Sequence, residues 1–108
     1  VDVYWNGVQV AHLDGGAEMS LHFGQVIAHL AKTRNVRAGS IVGSGTLSQR
    51  DDAAGYGCII EQRAKEIVEH GEARTPYMAF GDRIRIEAVG DDGQSVFGAI
   101  DQRVASPA

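Results

Sequence analysis

The sequence predicts a β-rich α+β domain of short antiparallel strands with one main helix. Three observations predict it: a pair of alternating runs broken by Asn6-Gly7, an apolar period of 3.6 that begins at Met19, and a second alternating pair around Gly90-Asp91-Asp92-Gly93. Fourteen glycines against two prolines, Pro76 and Pro107, fall between the apolar runs, so turns should be frequent and the strands about six in number.

Val1, Val3 and Trp5 alternate with polar or amphipathic neighbours up to Asn6-Gly7, after which Val8 and Val10 resume the pattern. A hairpin over 2–13 is predicted, because a type I′ turn needs positive φ at both central positions and Asn-Gly tolerates it. Asp14-Gly15-Gly16-Ala17 ends the alternation. Met19, Phe23, Val26, Ile27 and Leu30 then share one face of a helix over 19–33. Glu18 or Ser20 would open it, and Lys32 and Arg34 suit the negative end of its dipole. Gly24, Ala28 and Ala31 lie beside the apolar stripe and leave room for a second covering element. Ser40-Ile41-Val42 reads as a strand running into the tight loop 43–48, and Cys58-Ile59-Ile60-Glu61 as a short buried strand that ends on a carboxylate. Ala64, Ile67 and Val68 before Gly71 fit either a short amphipathic helix over 63–70 or an irregular strand. Ile84, Ile86 and Ala88, then the Gly90–Gly93 turn, then Val96 to Ile100 make a second hairpin, entered through Gly81-Asp82.

Composition excludes several classes of function. At 108 residues and 44% hydrophobic content the chain is a single small domain and not a disordered tail. A chain of this size buries only about 60–68% of its unfolded surface, so a partner chain or a further segment is expected to cover more apolar area. One cysteine, Cys58, excludes an internal disulfide framework and a cysteine zinc cage. A net charge of −4 argues against nucleic acid as a partner. No apolar run approaches the roughly 20 residues of a membrane span and residues 1–7 lack a signal-peptide layout, so no membrane partner and a cytoplasmic location are expected. The chain opens in strand-like sequence without an initiator methionine, which reads as a piece of a longer protein.

Few residue patterns point to chemistry. The loop Gly43-Ser44-Gly45-Thr46-Leu47-Ser48 lacks the lysine and spacing of a phosphate loop, has Ser48 where a dinucleotide fingerprint needs glycine, and no G-x-S-x-G elbow occurs in the chain. It is therefore either a plain turn or a small nest whose backbone N–H groups and Thr46 hydroxyl bind a carboxylate or oxyanion. His22 and His29 are separated by about 10 Å of helical rise, too far to share one metal ion. With His12 and His70 they read as polar surface. Glu66, Glu69 and Glu72 could surround a hard cation but read more simply as an acidic face. Asp51-Asp52 and Asp91-Asp92 are turn residues, and Cys58 is a small core hydrophobe. Glu61 is either a proton-transfer carboxylate or an ion-pair partner of Arg63 or Arg83.

Several segments together resemble the fumarylacetoacetate hydrolase family, in the C-terminal part of its bacterial members. They are Phe23-Gly24-Gln25-Val26-Ile27-Ala28-His29-Leu30-Ala31-Lys32-Thr33-Arg34, Ala38-Gly39-Ser40-Ile41-Val42-Gly43-Ser44-Gly45-Thr46-Leu47-Ser48, Gly57-Cys58-Ile59-Ile60-Glu61, the run from Thr75-Pro76-Tyr77 through Glu87, and Phe97-Gly98-Ala99-Ile100-Asp101-Gln102. The resemblance covers about residues 1–104 and implies a mixed β-roll or sandwich, a homodimer, and a metal-dependent enzyme. Such an enzyme would hydrolyse a carbon–carbon bond in a β-diketo, acylpyruvate-like acid. Relatives of similar fold decarboxylate, hydrate or tautomerise such acids, and a non-catalytic interaction module reusing the fold is the other alternative.

By the resemblance, Thr46 matches the threonine that contacts the substrate carboxylate, with Ser44 and Gly45 beside it. Glu61 matches the glutamate that works with a histidine to activate water. The family's carboxylate metal ligands, catalytic histidine and clamping lysine precede the matched region. The resemblance therefore implies that residues 1–108 are the C-terminal part of a longer catalytic domain, inactive and without a bound metal on their own. Mg²⁺ or Ca²⁺ would serve the full-length enzyme, and the partners would be a small oxo-acid substrate and a second copy of the chain.

Overall fold

The Asn6-Gly7 turn forms as predicted: Asn6 takes φ 51° and Gly7 φ 82°, and strands β1 (Asp2–Trp5) and β2 (Val8–His12) pair antiparallel across it. The computed structural model describes residues 1–107. Helix α1 (Phe23–Ala31), a single 3₁₀ turn (Asp52–Ala54) and helix α2 (Ile59–His70) follow, then strands β3 (Arg83–Val89) and β4 (Ser95–Arg103). The strands form one antiparallel sheet in the order β2-β1-β3-β4.

β1 meets β3 across 77 residues of intervening chain because the turn residue Asn6 binds the entry to β3. Its N–H donates to the Arg83 carbonyl, its Oδ1 accepts from the Arg83 N–H, and its Nδ2 donates to Asp82 Oδ1, each at 2.8 Å. That last bond, with the Ala79 N–H on the other oxygen, holds the Asp82 carboxyl below its usual range. The predicted Gly81-Asp82 lead-in is thus fastened to the first hairpin.

Register separates the two faces of the sheet. Val3 pairs Ile86, which pairs Ile100, and Trp5 pairs Ile84, so these side chains share one face. Tyr4 pairs Arg85, which pairs Asp101, and Asp2 pairs Glu87 on the other. There Arg83 grips Asp101 in a bidentate pair at 2.6 and 2.7 Å and Arg85 binds Glu87. Such exposed pairs contribute little to stability. The apolar face opens on a hollow of about 370 Å³ walled by Trp5, Tyr56, Cys58, Ile59, Tyr77 and Met78 among others.

The α+β, β-rich class is as the sequence predicts, but several elements differ. Among the described residues there are four strands in one open sheet, and no second sheet that would close a roll or sandwich. Cys58-Ile59-Ile60-Glu61 is not a strand: Cys58 is the extended N-cap of α2, and the helix runs on to Gly71, which ends it at φ 81°. A short apolar run has no period of its own, and the strong helix formers from Glu61 to Glu66 extend their conformation back over the two isoleucines. Two helices result in place of one main helix over 19–33, α1 with 9 residues and α2 with 12. Ser40-Ile41-Val42 forms no strand either, since no edge lies beside it to complete its hydrogen bonds; Ile41 is 97% exposed. Helix α1 begins at His22 and not at Glu18 or Ser20. The His22 ring accepts from the Gln25 N–H while Gln25 Oε1 accepts from the His22 N–H, a capping box built on an imidazole.

Only Ala11 and Leu13 are buried apolar residues among those described, at 3% and 2% exposure. The accessible surface is 8233 Å², whereas a compact monomer of this mass exposes roughly 5,800 Å². The radius of gyration is 16.6 Å against about 13 Å for a compact chain of this length. Phe23, Ile27, Ile60, Val68, Tyr77, Phe80 and Phe97 all stand in solvent. The secondary structure is that of a domain layer whose apolar faces are left uncovered among the described residues.

Glu66 is not part of an acidic surface. It is buried at 8% exposure, and its carboxylate accepts from the Thr75 hydroxyl, the N–H groups of Thr75 (2.8 Å) and Arg74 (2.6 Å), and Gln62 Nε2 (3.1 Å). The Thr75 hydroxyl, followed by these other donors, lowers its pKa from 4.5 to about 2. A depressed carboxyl stabilises the fold fully above pH 4.5, and this contribution is lost as pH falls from 4.5 through about 2. Glu66→Gln, which turns an amide toward N–H donors, is expected to lower the Tm of the full polypeptide by roughly 5 °C at pH 7. Melting curves taken from pH 7 to pH 3 should show the gap to wild type narrowing as the acid limb is entered. A constant gap would mean that ionisation of Glu66 is immaterial.

Candidate functional site

Two loops far apart in sequence meet beside the end of β2. The Asp14 N–H donates to Gln49 Oε1 at 3.0 Å, and the Arg50 N–H donates to Glu18 Oε2 at 2.7 Å, so the segment before α1 is tied to the glycine-rich loop. Asp14 Oδ1 accepts from the N–H groups of Gly16 and Ala17, an Asx turn that holds this carboxyl below its usual range, the Gly16 bond weighing most. The two loops enclose a hollow of about 210 Å³ whose walls include Asp14, Glu18, Ser44, Gly45, Thr46 and Ser48.

The structure therefore brings Ser44, Gly45 and Thr46 to one concave surface, all three exposed to solvent. Ser44 Oγ makes only a long local bond to the Gly45 carbonyl at 3.3 Å. The carboxylates of Asp14 and Glu18 stand on the same wall. An anion entering the hollow must bring positive charge with it or find some beyond these residues.

Glu61 lies on the first exposed turn of α2, where a negative charge suits the helix dipole, and it does not line this hollow. Neither expected ion partner reaches it. Arg83 is committed to Asp101, and Arg63 donates to the Thr75 carbonyl while its guanidinium stacks 4.4 Å over the Tyr77 ring. Thr46 rests against Gly57, four residues before Glu61, and four residues span at most about 14 Å. The hydroxyl loop and Glu61 are thus linked through one short chain segment, but they do not share a hollow.

Cys58 is half-buried at the head of α2 and walls the apolar hollow under the sheet. His22 serves as a helix cap and His29 stands in the last turn of α1. His12 is a surface residue, but its Nδ1 lies 2.6 Å from Asp2 Oδ1, and this bond, ahead of the other causes, lowers the Asp2 pKa. A two-residue turn alone would set Asp2 opposite Ala11; the irregularity between Val3 and Tyr4 shifts the register by one and brings His12 there, which the sequence pattern does not announce. Among the described residues no three His, Cys, Asp or Glu side chains are placed to hold a metal ion, Glu66, Glu69 and Glu72 included. No helix among them is long and apolar enough to cross a membrane.

No curated protein matches the chain. The pattern of one family does, the fumarylacetoacetate (FAA) hydrolase C-terminal family, over residues 1–105. This is a family of hydrolase- and lyase-type enzymes that generally depend on a metal ion. With nearly its whole length matched, and with a β-rich α+β layer that lacks its own cover, the chain belongs to the fumarylacetoacetate hydrolase family.

Proposed function

We propose that these residues form one wall of the substrate site of an enzyme that hydrolyses a carbon–carbon bond in an acylpyruvate-like β-diketo acid. The observation that supports this most is the contact of the hydroxyl-bearing loop Ser44–Thr46 with Gly57, which leads directly into α2 and Glu61. In this reading the Thr46 hydroxyl and the N–H groups of Ser44 and Gly45 donate to the substrate carboxylate or to the oxygen on which charge develops. Glu61 orients the proton-accepting histidine, which lies outside these residues. Water loses a proton to that base and adds to the acyl carbonyl; the bond to the methylene carbon breaks, the methylene is protonated, and a carboxylate and pyruvate leave. Mg²⁺ or Ca²⁺, which the family implies, would polarise the diketo oxygens when bound. The ligands of that ion are not assigned to these side chains.

The proposal includes the setting of the chain. Residues 1–108 form part of a longer catalytic domain that works as a cytoplasmic homodimer and turns over nothing by themselves. Accessible surface well above that of a compact monomer supports this.

The full polypeptide is expected to release pyruvate from an acylpyruvate in the presence of Mg²⁺. Thr46→Val, which removes one donor and keeps the shape, is expected to raise KM about tenfold with a smaller change in kcat. Steady-state kinetics with product detection check both. Absence of pyruvate release, or a KM within about twofold of wild type, overturns the reading.

A further inference from the structure

Two glycines, one on each side of Tyr56, pin the approach to α2 between β2 and the hydroxyl loop. Gly55 bridges to Ala11 at φ 82°, and a Cβ there would lie 2.0 Å from the Val10 carbonyl oxygen. The next N–H, that of Tyr56, donates to the same carbonyl at 3.2 Å. This glycine locks the segment to the edge of β2.

Gly57 answers a different constraint. A Cβ there would meet the Leu47 carbonyl oxygen at 2.7 Å, Leu13 Cδ1 at 3.1 Å and Thr46 Cγ2 at 3.3 Å. Leu13 is the most deeply buried large side chain described and cannot retreat, and Gly55 already holds the segment on the other side. Any atom added at Gly57 must displace the remaining neighbour, the backbone of Thr46-Leu47. Immediately after Gly57 comes Cys58, the N-cap of α2, and Glu61 stands in the first turn.

From this juxtaposition we infer that Gly57 is a positioning residue. Its missing side chain lets the Thr46-Leu47 backbone seat against the segment entering α2 and so sets the spacing between the Thr46 hydroxyl and the Glu61 carboxylate. The inference rests on the reading of Thr46 as a substrate contact and of Glu61 as the carboxylate of the reaction. A shift of about 1 Å in a positioning group can cost as much as 10²-fold in rate.

The test is a double-substitution cycle in the full polypeptide, with KM for an acylpyruvate, Tm, and pyruvate affinity by calorimetry as readouts. Gly57→Ala is expected to raise KM and weaken pyruvate binding about tenfold, and to add no further change in a Thr46→Val background. Additive effects would assign Gly57 a general structural role and overturn the inference. An unchanged KM for Gly57→Ala, with Thr46→Val still impaired, would overturn the inference and leave the proposed function standing. An unchanged KM for Thr46→Val would remove the proposed function itself and the inference with it. Should Gly57→Ala not fold, one glycine inserted between Gly57 and Cys58 carries the test. It leaves the Thr46 contact in place and moves α2, so kcat should fall at least tenfold while pyruvate affinity stays within about twofold. The opposite split, weakened pyruvate binding with kcat preserved, overturns the inference.

Discussion

Replacing Glu61 by glutamine in the full polypeptide is expected to lower kcat for acylpyruvate cleavage by about 10²–10⁴-fold, the usual contribution of a positioned acid–base group. The substitution keeps size and hydrogen-bonding reach but removes the charge that would orient and stabilise a protonated histidine. KM should stay within about threefold, because the Thr46 loop rests on Gly57 and not on Glu61. Folding should be spared as well: Glu61 is exposed, and both arginines expected to pair with it are engaged elsewhere. Kinetics and a melting curve on one preparation separate these outcomes. Turnover equal to wild type would remove Glu61 from the mechanism, whereas a large fall in Tm would show a structural role that the contacts do not contain.

The second large effect concerns the chain by itself. Residues 1–108 expressed alone are expected to show no sharp cooperative melting and to bind a hydrophobic dye strongly. The apolar face of the sheet, with Val3, Trp5, Ile84, Ile86 and Ile100, opens on an uncovered hollow, and the apolar sides of both helices reach solvent. Its surface exceeds that of a compact monomer by about 2,400 Å², as much as a large obligate interface buries. Circular dichroism on heating, together with size-exclusion mass, measures this. A monomer that melts sharply and ignores the dye would show that the present layer is sufficient, and that the covering part inferred here is not needed for folding.

Much of the architecture was legible locally. Asn6-Gly7 and Gly90–Gly93 announce the two hairpins because positive φ at these turns is a property of the residues themselves, and Gly93 does take φ 76°. The periodic run after Met19 announces α1, although its start moved to His22 because an imidazole took a role usually held by a short polar side chain. Ser44, Gly45 and Thr46 could be singled out as a hydroxyl-bearing loop, and the structure places them around one hollow. Cys58 to Glu61 reads as a buried strand but forms the cap and first turn of α2, because four residues are too few to show a period and the outcome lay in the helix formers downstream.

What the sequence by itself determined is everything decided within about four residues of chain: turn positions, the amphipathic helical run, the alternation of both hairpins, and the membership they share with one family. Only the tertiary structure decided that β1 lies beside β3, that Glu66 is buried on the N–H groups of Arg74 and Thr75, that Asp2 meets His12, and that Thr46 rests on Gly57. The physical reason is one of range. Torsional preferences and capping bonds act between neighbours and are written in residue type, whereas burial, shape and cross-chain hydrogen bonds depend on which distant segments come to share the same space.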